Sequence, residues 1–442
     1  MKPLEILSLY IFFIVGFAIV CADNTPICWD HPNPLKPSER KRAPCYSTAN
    51  TNSNDLSFTK RDESDMFLVT FTCLANNQTL CDKVKNAFIT AGQIITAAIA
   101  FKIPVTVNAT FSDFCSLLNE CSLTSGTLTL GGAAPARSIQ ILDEDGVQRL
   151  YPQSLVKQKN ITGIGRSMFT AFDIFALFNS QANYWFEGDG KMLESQSDFL
   201  FVILHELIHG LGFSSGYDDF LNMPPKALTP QIVFTDGIEG FTLNGFIETA
   251  FDKCMVILPS GQRISSNVTK QINAFKGTFT STQEFVTDFE ASPQYQLALR
   301  MLSLATTPHS LGLLPPNSTD ISNATILETT LNPYRSGSSV SHVDYKIYTR
   351  TSDFLMRYLQ ERGLTLRQSI YLGGNYPYGP IGPKLRSFLQ SIGYTIQYKS
   401  SPFDPIPGSN PFNAGKPNAE LCISLIPYIS SFLLIGLVIT LW

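Results

Sequence analysis

His205-Glu206-Leu207-Ile208-His209-Gly210-Leu211-Gly212 closes an apolar run and reads H-E-x-x-H-x-x-G. Residues four apart lie one turn above each other on one helix face, so the two imidazoles can share a metal ion. Zn²⁺ takes imidazole nitrogen at about 2.0–2.1 Å. Glu206 is turned about 100° from His205, a poor position for a third ligand and a good one beside a water on the metal's open side. Metal-assisted hydrolysis needs that combination of ligands, general base and open position. The opposing reading, two histidines packed at a helix end, is weak in a chain with five histidines in all. The preceding run, Ser197-Asp198-Phe199-Leu200-Phe201-Val202-Ile203-Leu204, is apolar nearly all round and predicts a buried helix. Gly210 and Gly212 predict a helix stop and a sharp turn beneath the metal.

This motif resembles the signature of the metzincin clan of zinc endopeptidases, H-E-x-x-H-x-x-G-x-x-H/D followed later by a Met-turn. Ser215 stands where that signature places its third ligand, and serine binds zinc poorly. Gly212-Phe213 followed by a long stretch before the third histidine resembles the leishmanolysin-type branch. His342 lies in Gly337-Ser338-Ser339-Val340-Ser341-His342-Val343-Asp344, a small-residue loop suited to wrapping a metal. Thr351-Ser352-Asp353-Phe354-Leu355-Met356 follows it and resembles the Met-turn in placement, with Met356 expected to pack under the metal without binding it. His309, in Thr307-Pro308-His309-Ser310, and the carboxylates of Asp218 and Asp219 are the alternative third ligands. Tyr358 stands where some metzincins carry a tyrosine at the metal or the oxyanion; leishmanolysin-like members need not have it, so a surface or core tyrosine is the favoured reading. Asp344 or a backbone carbonyl would accept the second ring N–H of a ligand histidine. The resemblance covers most of the ectodomain in plan, but only His205–Phe213 is highly specific.

Both ends read as addresses. Met1-Lys2 precedes an apolar core, Ile6 to Val20, and Val20-Cys21-Ala22 offers a cleavage site before Asp23, the pattern of a signal peptide. Cys422 to Trp442 is apolar to the last residue, with no basic stop-transfer residues after it. A single membrane helix fits its length, but a polar spacer and small residues before it (Gly408-Ser409-Asn410 or Asn413-Ala414-Gly415) favour a GPI-attachment signal. The expected location is therefore extracellular, at the cell surface. Asn77, Asn108, Asn160, Asn267, Asn317 and Asn323 open six N-glycosylation sequons. Charged residues make up 15% of the chain and the formal net charge is −4, so nothing points to nucleic acid as a partner. The expected partners are a protein or peptide substrate and the membrane.

Nine cysteines, less Cys21 and Cys422 in the terminal segments, leave an odd number for an oxidising compartment. Residues 23–56 are rich in Pro, Asn, Ser and charge and read as a propeptide or linker, with Arg40-Lys41-Arg42 as a processing site. Cleavage there would remove Cys28 and leave Cys45, Cys73, Cys81, Cys115, Cys121 and Cys254. Two readings compete. In one, Cys28 is a cysteine switch whose thiolate fills the open zinc position until the propeptide leaves; in the other, Cys28 bonds Cys45 and another thiol is free. Cys73/Cys81 and Cys115/Cys121 are spaced for local loops.

The fold expected is α+β, a metzincin-like zincin: an N-terminal twisted sheet plus long helices, then an irregular or helical C-terminal subdomain. Met66 to Cys73, Pro104 to Phe111 and Ser138 to Leu142 read as strands, and Val84, Ala87, Phe88, Ala91, Ile94, Ile95 and Ala98 repeat at helical spacing. Phe169 to Phe178 is a candidate for the strand that lines the cleft and pairs with substrate, and an ordinary buried strand or helix fits it as well. The segments are a signal peptide (1–22), the propeptide or linker (23–56), an N-terminal catalytic subdomain with the zinc helix (57–216) and an insertion (217–336). A C-terminal catalytic subdomain with the third histidine (337–400), a stalk (401–421) and the hydrophobic tail (422–442) complete the chain. The activity expected is that of a secreted, surface-anchored zinc endopeptidase, with one Zn²⁺ on His205, His209 and His342 and with Glu206 as general base. The rivals are a zinc amidase acting on non-protein amides and a catalytically silent adhesion protein; the intact Glu206 weighs against the second.

Overall fold

Alternation of apolar and polar residues puts one face of Phe67–Cys73 (β3) and of Val105–Ser112 (β4) inside, with Val105, Val107, Ala109 and Phe111 fully buried. The computed structural model describes residues 27–36, 38–45, 66–118 and 128–397. Before these strands comes a hairpin, Ile27–Asp30 (β1) and Lys41–Pro44 (β2). Between β3 and β4 runs the long helix Gln78–Ala98 (α1), whose first turn is capped by Asn77 accepting from the Leu80 N–H at 3.1 Å. Gly131–Pro135 (β5), Arg137–Leu142 (β6), Gln148–Pro152 (β7) and Ile174–Asn179 (β8) follow. The first sheet has the order β3-β4-β8-β5, parallel except for antiparallel β5 at its edge.

The predicted zinc helix is Phe199–Gly210 (α2), capped by the Asp198 carboxylate, which accepts from the Phe201 N–H at 3.1 Å. Phe199 anchors it, its ring meeting those of Phe88, Phe111, Phe178 and Tyr184 at centroid separations of 6.5, 5.8, 5.6 and 4.6 Å. Each buried aromatic of this kind contributes about 1.5–3 kcal/mol by removal from water. The cluster ties α2 both to α1 and to the first sheet. Close approach to that sheet requires Gly210, because a Cβ there would stand 2.5 Å from Ile174 Cγ2. Gly212, with φ of +111°, then turns the chain beneath the helix end.

The second sheet includes Gln231–Gly237 (β9) and Gly240–Thr249 (β10), in the order β9-β10-β7-β6-β1-β2, with Gly277–Phe279 (β11) also on β10. Residues 217–336, read from the sequence as an insertion, pack on the N-terminal half. Their hairpin joins the sheet of the N-terminal half through β10 and β7, and the fully buried Arg149 of β7 pairs with Glu248 of β10 (2.5 Å) as well as with Asp143 and Asp145. Thr282–Ala291 (α3) and Pro293–Ala305 (α4) cover that hairpin, with Phe285 and Phe289 fully buried. The closing helix Pro383–Ile392 (α5) packs Phe388 on Phe213 at 4.9 Å and stops at Gly393, φ +121°.

Residues 27–45, part of the segment read as a propeptide or linker, fold into the second sheet. Strand β1 is an interior strand between β6 and β2, and Asp30 pairs with Arg137 of β6 at 2.6 Å. The antiparallel hairpin brings Cys28 and Cys45 together in a disulfide, so Cys28 offers no thiolate to a metal and the cysteine-switch reading falls. Cys73 bonds Cys81, and Cys115 is disulfide-bonded as well. Among the described residues the unpaired thiol is Cys254, fully buried, with burial pushing its pKa up to about 12. The fold is α+β. No helix among the described residues is long and apolar enough to cross a membrane. The signal segment 1–22, the stalk 401–421 and the tail 422–442 lie outside the described residues.

Candidate metal centre

His205 and His209 stand one turn apart on α2, and the chain returns far downstream to bring His342 against them. The three Nε2 atoms form a near-equilateral triangle: 3.1 Å from His209 to His205, 3.1 Å from His209 to His342 and 3.2 Å from His205 to His342. Each Nδ1 faces a backbone carbonyl, Leu355 O for His205 (2.8 Å), Phe213 O for His209 (2.5 Å) and Ser338 O for His342 (2.9 Å). A carbonyl only accepts, so the ring proton of each histidine sits on Nδ1 and the Nε2 lone pairs converge. Burial favours the neutral rings, lowering His205 to about 4, His209 to about 3 and His342 well below the usual range. Three lone pairs facing each other with no proton among them repel unless a cation stands between them. A cation about 2.0–2.1 Å from each nitrogen would subtend about 100° between them and leave a fourth direction open. The donor set therefore fits Zn²⁺.

Of the two acceptors the sequence left open for the ligand histidines, the backbone carbonyls take the role and Asp344 does not. Its carboxylate caps the following turn through the Ile347 N–H (2.8 Å) and lies 3.3 Å from His309, not on a ligand histidine. His309 is thereby held away from the cluster, on an exposed turn with φ of +59°. Asp219 accepts from the backbone of Leu221, Asn222, Lys226 and Ala227, and Asp218 from Ser336, so neither joins the histidines. Ser215 bonds Asp252 through its hydroxyl (2.7 Å), while its N–H donates to Ser341 Oγ in the His342 loop (3.2 Å). The chain after α2 and the third histidine are thus directly tied. Glu328, fully buried and absent from the sequence reading, accepts from the Thr330 and Tyr345 N–H groups, and its backbone N–H donates to His342 O. Met356 is buried, and its carbonyl accepts from the Val343 N–H at 2.9 Å.

Glu206 lies in the same cleft, which has a volume of about 510 Å³. Its Oε2 accepts from the Ala133 N–H at 3.2 Å, and burial pushes its pKa up to about 8, partly opposed by that bond. Ala133 belongs to β5, whose outer edge faces the cleft; the strand expected there ends inside β8, which is paired on both sides. Gly131-Gly132-Ala133-Ala134-Pro135 lacks the β-branched residues by which a strand is recognised. Its glycines answer to contacts across the fold: a Cβ on Gly132 would meet Leu35 Cδ2 at 2.6 Å, and one on Gly131 would meet Phe178 at 2.8 Å. Tyr358 lines the cleft wall half-buried, its ring 5.6 Å from that of Tyr345.

The sequons divide by environment. Asn77, Asn160, Asn317 and Asn323 are exposed, and Asn108 is half-buried within β4. Asn267 donates its amide to Arg263 O at 2.9 Å, and Thr269 of its sequon is buried against Glu248. That geometry disfavours a glycan at Asn267.

A model of the SPBPB7E8-like family matches residues 28–409, a span that takes in the hairpin from Cys28, helix α2 and the His342 loop. The chain belongs to this family. The SPBPB7E8-like chain is similar to the uncharacterized protein PB7E8.01 of Schizosaccharomyces pombe, with 28% identity over 376 residues that cover 77% of this chain. The match spans 64% of that relative's own length. No solved structure matches.

Proposed function

We propose that this SPBPB7E8-like protein is a zinc-dependent, leishmanolysin-like endopeptidase of metzincin-type fold, secreted and held at the cell surface by a GPI anchor or a single helix. The observation that carries the reading is the convergence of three Nε2 lone pairs, each fixed by a carbonyl behind it, in a cleft shared with Glu206 and a strand edge. His205, His209 and His342 would hold Zn²⁺, which supplies a Lewis acid for the scissile carbonyl and lowers the pKa of water to about 7. Glu206 takes the proton of the attacking water and delivers it to the departing amide nitrogen. The β5 edge offers backbone donors and acceptors to an extended peptide, the β-augmentation by which a chain is laid along a cleft. An open edge favours a peptide over a small non-protein amide, and a binding-only site has no use for a buried base.

The test is cleavage of an unfolded protein such as casein by the secreted chain, with and without a chelator, beside Glu206→Gln and His342→Ala. Loss of a general base costs about 10²–10⁴-fold in rate. Glu206→Gln should fall by that factor while retaining one zinc per chain, and His342→Ala should lose zinc and activity together. Zinc-loaded wild type that leaves casein and short peptides intact would overturn the proposal.

A further inference from the structure

The loop of the β1–β2 hairpin, residues 31–40, lies against the cleft rather than away from it: His31, Pro34, Leu35 and Arg40 line the same space as Glu206 and the histidines. Two polar side chains of this loop are incompletely satisfied. Arg40 Nε is buried with no hydrogen-bond partner, and Arg40 Nη1 reaches only Gln231 Oε1, at 3.5 Å. His31 is buried, its Nε2 3.0 Å from Ser138 Oγ and its Nδ1 without a partner. Buried donors left open are uncommon and ask for an occupant. No carboxylate among the described residues lies within ion-pair reach of Arg40. The nearest acids acting on it, Asp252 and Asp218, are committed elsewhere: Asp252 to Ser215, Gly216 and Thr249, Asp218 to Ser336. Arg335 and Arg362 also line the cleft and are exposed, whereas Glu206 is its one carboxylate among the lining residues.

We propose that Arg40, with His31 beside it, forms a carboxylate-binding subsite of the cleft, so that the preferred substrates are peptides presenting a carboxylate near the cleaved bond. A guanidinium is the side chain suited to this task, since its planar donors match the two oxygens of a carboxylate. With Ser138 Oγ–H donating to Nε2, His31 carries its proton on Nδ1 and supplies a second donor. Arg40 remains charged at neutral pH even though burial lowers its pKa to about 10. The carboxylate is either an acidic side chain within the peptide or the free C-terminus. The inference deepens the endopeptidase reading and rests on it for the identity of the ligand as a peptide.

Binding can be measured apart from catalysis. Fluorescent decapeptides carrying a single Glu or Gln at successive positions, each with a free or an amidated C-terminus, would be titrated onto zinc-loaded Glu206→Gln protein. Expected is at least tenfold tighter binding for Glu over Gln at one position, or for the free over the amidated end; the two arms identify the source. Adding Arg40→Gln should shrink that preference below threefold, and Arg40→Lys, which keeps the charge, should restore part of it. Thermal midpoints of the variants establish that they are folded. A preference absent in the Glu206→Gln protein, or unchanged by Arg40→Gln in folded protein, overturns the subsite. A preference that depends on Arg40 in a protein whose wild type cleaves none of the peptides would instead sustain the subsite and overturn the endopeptidase reading.

Discussion

At the scale of single residues, the centre depends as much on a missing side chain as on the histidines. Gly210 directly follows His209, and its hydrogen occupies the space where a Cβ would come 2.5 Å from Ile174 Cγ2 and 3.0 Å from Ile174 Cδ1. Gly210→Ala forces α2 away from β8 or Ile174 out of its rotamer, an overpacking cost of about 1–3 kcal/mol. Because His209 is the adjacent residue, the shift also spoils the Nε2 triangle. The expected result is a lowered denaturant midpoint together with zinc affinity reduced at least tenfold; a stable variant with unchanged affinity would contradict it. The histidine cluster was legible: His205 and His209, with Glu206 between them, follow from spacing, and His342 from the small residues around it and the Met-turn resemblance behind it. The groups behind them were not. Leu355, Phe213 and Ser338 act through backbone carbonyls, which carry no mark in the side-chain sequence.

At the scale of elements, the strands with β-branched alternation and the long apolar helices were readable, and those without such marks were not. Strand β5 is built of Gly, Ala and Pro because Leu35 and Phe178 press on it, a cause lying a hundred residues away on one side. The β1–β2 hairpin was obscured by its polar composition, and its place in the sheet rests on pairing with β6 and on the Asp30–Arg137 ion pair. This changes what proteolysis at Arg40-Lys41-Arg42 would do. Lys41 and Arg42 are exposed, yet Cys28 and Cys45 flank them in a disulfide. Limited digestion with a protease specific for basic residues should therefore yield an N-terminal fragment that separates on a reducing gel and stays attached on a non-reducing one. Release of the fragment without reductant would contradict the Cys28–Cys45 disulfide.

At the scale of the whole molecule, the histidines join parts of the chain that folding must bring together from far apart: His342 is 133 residues beyond His209. Between them run β9, β10, β11, α3 and α4, anchored to the N-terminal sheet by Arg149 and Glu248. A metal on the triangle binds the folded chain and not the unfolded one, so its binding energy becomes folding energy. Free zinc at a hundred times its dissociation constant would add about 2.7 kcal/mol, a rise of several degrees in the thermal midpoint. That shift separates the ligands from the base, because the carboxylate is not needed to hold the ion. Glu206→Gln should keep the full zinc-dependent shift and His309→Ala should match wild type, whereas His342→Ala should lose most of it. Scanning calorimetry of the four proteins with zinc and with chelator is the measurement. Equal midpoints for wild type in the two conditions would mean that the converging lone pairs hold no zinc, and the mechanism built on them would fall with it.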